Sequence, residues 1–168
     1  MRVIGIDPGL VRTGWGIIDV VGNKLTHISH GVIKTDTKAQ LAERLKHIFD
    51  ELMKMMELWQ PTAAAVEETF MNNNPASAIK LGQARGVAMV APAKFGVSVA
   101  EYPALLIKKS VVGAGHAEKS QVQMMIKVLL PGVEASSDAA DALAVAICHA
   151  HHGATKQKLG GIMSGGKR

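Results

Sequence analysis

Near its start the chain reads Arg2-Val3-Ile4-Gly5-Ile6-Asp7-Pro8-Gly9. Residues 2–7 form a short apolar run and Pro8-Gly9 is a typical turn pair, so we predict a buried strand that ends at Asp7. Two β-rich segments follow, Thr13 to Val21 and Leu25 to Thr35, and Gly22-Asn23 between them favours a hairpin turn. Three successive strands indicate that the fold begins with an antiparallel meander.

The rest of the chain alternates between helical and strand patterns. Apolar residues recur at steps of three and four from Leu41 to Trp59, which predicts an amphipathic helix. Thr37 and Gln40 would form its capping box, and Pro61 would stop it. Further strands are predicted at 63–66 and 97–101, and further helices at 75–91, 118–130 and 138–151. This order predicts an α/β fold with a five-stranded mixed β-sheet flanked by α-helices, which matches the ribonuclease H-like architecture.

The chain is expected to form one domain followed by a basic tail. We assign residues 1–152 to the domain and residues 153–168, rich in glycine and lysine, to a disordered tail. The tail holds four of the 19 basic residues and no acidic one, which leaves 15 basic residues against 14 acidic ones in the domain. The net charge of +5 is therefore weak evidence for nucleic-acid binding. The single cysteine, Cys148, cannot form an internal disulfide, which suits a cytoplasmic protein, and no apolar run approaches the roughly 20 residues of a membrane helix.

Four carboxylates occupy positions that favour a shared role. Asp7 and Glu67 each end a predicted buried strand, where α/β sheets usually bind ligands. Asp138 and Asp141 lie three residues apart at the start of an alanine-rich helix, so they share one face. The small side chains would let that helix approach the sheet and bring all four acids together. Clustered like charges need a cation among them, and carboxylate oxygens suit Mg²⁺ or Mn²⁺.

Taken singly, each of these acids also has an ordinary structural explanation. Asp7 could belong only to a turn, Asp138 could favour a helix start, and Glu67 could pair with a lysine.

Six motif blocks occur in order along the chain. They are residues 4–9 with 13–16 (IGIDPG and TGWG), 66–71 (VEETFM), 78–86 (AIKLGQARG), 111–113 (VVG), 117–122 (AEKSQV) and 138–144 (DAADALA). The ordered set resembles the RuvC family of Holliday-junction resolvases and spans nearly everything from residue 3 to 150. Residues 72–74 and 103–107 match the family less well, and both lie where DNA is expected to pass.

The resemblance implies a homodimeric, metal-dependent endonuclease that resolves four-way junctions in recombination and repair. It implies symmetric nicking of two strands, which leaves 5′-phosphate and 3′-hydroxyl ends that a ligase can seal. Asp7, Glu67, Asp138 and Asp141 match the family's catalytic, metal-binding acids, with two Mg²⁺ ions, or Mn²⁺ as a substitute, in each active site. The family also implies the RuvA–RuvB branch-migration complex as a partner.

The resemblance further implies several DNA contacts. Lys119 and Lys108 match lysines near the scissile phosphate, although Lys109 is an alternative to Lys108. A lone lysine is otherwise more often part of a solvated helix face. Phe70 matches an aromatic residue that stacks on unpaired bases, and its alternative is core packing. Arg85, within the 78–86 block, is expected to contact DNA.

Two further residue patterns have competing interpretations. Ala78, Gly82 and Gly86 recur at every fourth position, and family members use this helix for dimerisation; close packing on the chain's own sheet is the alternative. The histidines at 149, 151 and 152 are interpreted as charges that favour a helix end, rather than as metal ligands.

Other functions compete with the resolvase. An actin-like ATPase shares the fold and the opening strand, but 168 residues are too few for its two domains. A relative acting on RNA should lack part of the four-acid set. In a non-enzymatic junction-binding protein, four clustered acids without a metal would repel DNA.

Overall fold

The computed structural model describes residues 1–68 and 74–163, and it describes side chains as far as residue 153. Within these ranges the chain forms five strands and five helices. In chain order they are β1 (Arg2–Asp7), β2 (Arg12–Val21), β3 (Lys24–Lys34), α1 (Leu41–Trp59), β4 (Ala63–Glu68), α2 (Pro75–Lys94), β5 (Val99–Pro103), α3 (Ala104–Val112), α4 (Lys119–Leu129) and α5 (Ser137–Met163). None of these helices is both long enough and apolar enough to cross a membrane.

The strands form one mixed sheet in the order β3-β2-β1-β4-β5. Strands β1, β2 and β3 are antiparallel neighbours, whereas β4 is parallel to β1 and β5 is parallel to β4. Gly22 turns the hairpin between β2 and β3 with a positive φ of 58°, a conformation that glycine adopts without strain. The predicted meander and the ribonuclease H-like, five-stranded mixed sheet are confirmed.

The sheet separates two hydrophobic cores. On one side, called here the α1–α2 face, strand residues such as Ile4, Ile6 and Ile17 pack against helices α1 and α2. On the other side, called the α5 face, alternate strand residues such as Val3 and Ala65 pack against α3, α4 and α5. Because successive strand residues point to opposite faces, the side on which any strand residue lies follows from its neighbours.

Glycines on the α5 face let α5 lie directly on the sheet. A Cβ atom at Gly5 would lie 2.1 Å from the carbonyl oxygen of Ala142, and one at Gly14 would lie 2.0 Å from the carbonyl oxygen of Asp138. A Cβ atom at Gly16 would collide with a leucine of the same helix. Alanines dominate the buried side of α5, as the sequence predicts. The contact is therefore backbone against backbone, and it places the first turn of α5 over β2.

Helix α1 begins with a different capping pair from the predicted one. Gln40 is the N-cap residue, and its backbone N–H donates to Oε2 of Glu43 at 3.3 Å. The predicted pair of Thr37 and Gln40 is wrong because the preceding residues form a separate turn, in which the Lys38 N–H donates to Oδ1 of Asp36 at 2.9 Å.

Helix α3 was not predicted. It has nine residues and follows β5 directly, since β5 ends at Pro103 rather than at the predicted residue 101. Only Ile107 and Val111 of this helix are buried, and its nine residues span too few turns for a helical period to stand out among its apolar residues.

Helix α5 is longer than predicted. Its backbone stays helical through Gly153, Gly160 and Gly161 to Met163, although each interior glycine costs a helix about 1 kcal/mol relative to alanine. The histidines at 149, 151 and 152 therefore lie inside the helix, and their interpretation as charges at a helix end is wrong. Residues 164–168 lie outside the described residues, and the division into a domain (1–152) and a tail (153–168) stays a prediction.

The close contact between Gly14 and α5 predicts that one added methyl group will strongly destabilise the protein. Gly14→Ala should lower the free energy of unfolding by about 3 kcal/mol, because the new Cβ meets a helix backbone that cannot move alone. Urea unfolding would measure it. As a control, Gly153→Ala adds a methyl group that meets only ordinary contacts 3.4 Å away, so its stability should stay within about 1 kcal/mol of the wild type or rise. Equal stability of the two variants would contradict the close contact.

Candidate active site

Strands β1 and β4 bring Asp7 and Glu67 side by side. The strands are parallel neighbours, and Ile6 pairs with Val66, so the next residue of each strand lies at the same level of the sheet. Both carboxylates lie on the α5 face, since Ile6 and Val66 belong to the core of the α1–α2 face. The two acids therefore meet at the ends of the strands, as predicted.

Helix α5 adds the other two acids from above. Asp138 lies in its first turn, over Gly14, and Asp141 follows one turn later on the same side. Asp141 joins Asp7 and Glu67 in lining a cavity of about 260 Å³. Asp138 does not line this cavity, because its carboxylate is turned towards β2 and contacts Arg12.

Two cationic side chains and an apolar wall complete the cavity. Lys108 reaches it from α3 and Lys119 from the start of α4. The other lining residues are Ala104, Ile107, Val122 and Ala144. The cavity thus combines acids, lysines and a surface that excludes water from one side.

The carboxylates lie in an environment that disfavours their ionised form. Burial, and then the charges of Glu67, Asp141 and Asp138, raise the pKa of Asp7 to about 8, although Lys119 opposes the shift. Burial, and then Asp141, raise the pKa of Glu67 to about 7. The site therefore has an excess of negative charge, which a bound cation would relieve.

Protein cations already offset part of this charge. Lys119 Nζ donates to Oδ2 of Asp141 at 3.0 Å, and this hydrogen bond raises the pKa of Lys119. Arg12 Nε donates to Oδ2 of Asp138 at 2.5 Å. Sequence reasoning missed Arg12, although its place two residues before Gly14, and therefore on the same face of β2, was a usable signal.

The four carboxylates are chemically suitable ligands for a divalent metal ion. Across residues 1–68 and 74–153, no three histidine, cysteine or carboxylate side chains converge closely enough to hold an ion in this arrangement. Two of the four acids instead contact Arg12 and Lys119. Carboxylate oxygens at the end of a sheet nevertheless suit a hard cation, and release from these two ion pairs would free them to bind it.

Comparison with known proteins agrees with this geometry. The family model described as crossover junction endodeoxyribonuclease RuvC matches residues 3–149. The chain belongs to the RuvC family. A RuvC from Paramagnetospirillum magneticum is 61% identical over 160 residues, which cover 95% of this chain and 96% of the relative.

Solved structures support the same conclusion. The RuvC of Thermus thermophilus in complex with a Holliday junction substrate has a TM-score of 0.87 and 34% identity, and the match covers 93% of this chain and 96% of that one. The yeast mitochondrial Holliday junction resolvase Ydc2 shares the fold alone, with a TM-score of 0.66 and 11% identity over 93% of this chain and 82% of that one. The predicted family and fold class are confirmed.

The structure separates the predicted RuvC residues into those that reach the acids and those that do not. Of the two neighbouring lysines, Lys108 lines the cavity of the carboxylates, whereas Lys109 lines a different one. Arg85 forms an ion pair with Glu101 on the α1–α2 face, away from the acids, so its DNA contact stays a prediction. Phe70 lies outside the described residues.

The small residues of α2 lie on its outer side. Ala84 and Ala88 face the sheet, whereas a Cβ atom at Gly82 or Gly86 would meet nothing within 4 Å. Ala78 is partly exposed. The alternative prediction, that Ala78, Gly82 and Gly86 pack on the chain's own sheet, is therefore wrong.

The raised carboxylate pKa values predict how stability depends on pH. Between about pH 4 and 8 the folded state holds protons more tightly than the unfolded state, so metal-free protein should lose stability as pH rises. Asp7→Asn removes one of these groups, and its decrease in Tm from pH 5 to 8 should be smaller than the wild-type decrease by about 5 °C. Thermal unfolding in EDTA would measure this. Glu57→Gln, on the exposed surface, is the control, and equal pH profiles for wild type and Asp7→Asn would contradict the shift.

Proposed function

We propose that this protein is a Holliday-junction resolvase that acts in homologous recombination and DNA repair. It nicks two strands of a four-way junction symmetrically and leaves ligatable 5′-phosphate and 3′-hydroxyl ends. The observation that carries the proposal is the cavity in which Asp7, Glu67 and Asp141, from three different elements, meet Lys108 and Lys119. The Thermus relative was solved with a Holliday junction substrate, which supports the same substrate for this chain.

The four acids are proposed to hold two Mg²⁺ ions, with Mn²⁺ as a substitute. Bound ions would supply a nucleophilic hydroxide near neutral pH and stabilise the leaving oxygen. Asp7 and Glu67 are fixed by the sheet, and Asp138 and Asp141 are fixed by α5, so all four are held without a loop. Burial and neighbouring acids raise the pKa of Asp7 and of Glu67, and a bound cation would stabilise the ionised form of both.

The lysines are proposed to act on the phosphate. Lys119 reaches the acids from the N-terminal end of α4, and its side chain is 71% exposed, so its ammonium can turn from Asp141 to an incoming phosphate oxygen. In that position it would neutralise charge that develops on the phosphorus oxygens in the transition state. Lys108 contributes a second charge from α3 and orients the same group. Phe70 is proposed to stack on bases unpaired at the crossover.

The outer side of α2 is proposed to form a two-fold symmetric homodimer. Ile79 is 65% exposed and Val90 is 56% exposed, and Gly82 and Gly86 lie between them on the same side of the helix. An apolar stripe with small residues at its centre lets a second helix approach closely. Two equivalent active sites would then face the two equivalent strands of a junction. By family, the protein is also proposed to be cytoplasmic and to work with RuvA–RuvB.

Two adjacent glutamates provide a sharp test of the catalytic assignment. Glu67 lies in the cavity, whereas Glu68 is the next residue of β4 and lies on the opposite face of the sheet. With a synthetic four-way junction and Mg²⁺, Glu67→Gln and Asp7→Asn should cleave at least about 1000-fold more slowly, because ion binding is impaired. Both should still bind the junction in preference to linear duplex, as measured by mobility shift. Glu68→Gln should cleave at the wild-type rate.

Wild-type rates in Glu67→Gln or Asp7→Asn would show that the acids are structural. Binding by wild-type protein without any cleavage in Mg²⁺ or Mn²⁺ would instead indicate a junction-binding protein that is not an enzyme.

The dimer is tested by filling the glycine stripe. Gly82→Leu leaves the monomer undisturbed, since the added side chain meets open space, but it should prevent close contact between two α2 helices. Light scattering at micromolar concentration should show a dimer for the wild type and a monomer for the variant. As a control, Lys46→Leu places the same bulky side chain at an exposed position of α1, and this variant should remain dimeric. A wild-type monomer, with or without junction DNA, would remove the proposal.

A further inference from the structure

Two basic residues lie directly opposite each other at the end of the sheet nearest to α5. Arg12 begins β2 and Lys34 ends β3, and the two are paired in the antiparallel register. Both lie on the α5 face. Ile33, next to Lys34, packs in the core of the opposite face, and Gly14, two residues after Arg12, lies against α5. Both are exposed. Like charges directly opposite each other destabilise a strand pair, so this arrangement needs an anion to offset it.

The described residues offset only half of this charge. Arg12 contacts Asp138, but Lys34 has no carboxylate within ion-pair distance among the side chains from 1 to 68 and 74 to 153. The Arg12 contact is also incomplete, because it uses Nε alone. The two terminal nitrogens of Arg12 donate no hydrogen bond to any described residue, and the side chain is 48% exposed. Four N–H groups therefore remain available to an external acceptor.

The position of Arg12 and Lys34 relative to the acids indicates which external acceptor they would bind. Lys108 and Lys119 approach the carboxylates from α3 and α4, on the β4–β5 side of the sheet. Arg12 and Lys34 lie on the β2–β3 side, beyond Asp138. The acids are thus flanked by cations on both sides. A DNA strand that crosses the acids would place successive phosphates next to both groups of cations.

We propose that Arg12 and Lys34 form a second phosphate-binding site for junction DNA, and that Arg12 leaves Asp138 for a phosphate when a divalent cation occupies the carboxylates. The inference rests on the proposed function. Arg12 contacts Oδ2 of Asp138, and a divalent cation bound to the same carboxylate would weaken that contact by competing for its negative charge. A guanidinium is suited to the exchange, since it binds carboxylate and phosphate with the same planar set of donors.

Junction binding with and without a divalent cation tests both parts. Fluorescence anisotropy would measure the Kd of a labelled four-way junction across a salt series, in EDTA and in Ca²⁺. In Ca²⁺, Arg12→Gln and Lys34→Gln should each weaken binding about 3- to 10-fold and reduce the slope of log K against log salt by about one. In EDTA the Arg12→Gln effect should be at least half lost, because Asp138 then holds Arg12, whereas the Lys34→Gln effect should persist.

The matched control lies on the same strand. Lys24→Gln removes another exposed charge at the other end of β3, and its Kd and salt slope should equal the wild-type values. Circular dichroism of each variant would verify that the fold is intact.

The outcomes separate this inference from the function on which it rests. If the wild-type protein does not bind the junction, the proposed function fails. If the wild type binds and Arg12→Gln and Lys34→Gln bind equally well in Ca²⁺, only the second phosphate site is overturned. Equal weakening of Arg12→Gln in EDTA and in Ca²⁺ would overturn the exchange at Asp138.

Discussion

The contact of helix α5 with the sheet is the constraint on which the rest of the structure depends. Gly5 and Gly14 remove the side chains that would hold the helix away, and the alanines of α5 do the same from the other side. The backbones then approach so closely that a single Cβ atom would overlap a helix carbonyl. This contact brings the acids of the helix to the acids of the sheet. The geometry of the carboxylate site is therefore a consequence of packing between regular elements, not of loop conformation.

The same contact concentrates negative charge in a partly buried site, and this charge favours the binding of cations. Burial under the helix disfavours the ionised form of Asp7, and repulsion from the neighbouring carboxylates adds to this, so the pKa of Asp7 rises to about 8. Without a metal ion, Lys119 and Arg12 offset two of the four charges. Both cations are side chains on the rim of the site and both are substantially exposed. The arrangement is consistent with cations that exchange between carboxylate and phosphate as the substrate and the ions bind.

Much of this architecture was predictable, and the exceptions have identifiable physical causes. The strand ends at Asp7 and Glu67 and the position of Asp141 follow from local patterns, which depend on short stretches of sequence. The ion pair of Arg12 with Asp138 joins residues 126 positions apart, so the local pattern could place Arg12 on the same face of β2 as Gly14 but could not pair it with Asp138. Sequence left the role of the α2 stripe open because this helix carries apolar residues, such as Ile79 and Val90, on its outer side as well as on its buried side. Helix α3 has only two buried residues and was missed for lack of a visible period.

The central claim is that close packing of α5 on the sheet gathers four acids into one site for divalent cations. Anomalous diffraction from crystals soaked in Mn²⁺ tests it most directly, because it locates the ions independently of activity. The account predicts Mn²⁺ peaks between the carboxylates of Asp7, Glu67, Asp138 and Asp141, with Asp138 turned away from Arg12. Peaks bound elsewhere on the protein, with these carboxylates unliganded and Asp138 still paired to Arg12, would contradict it.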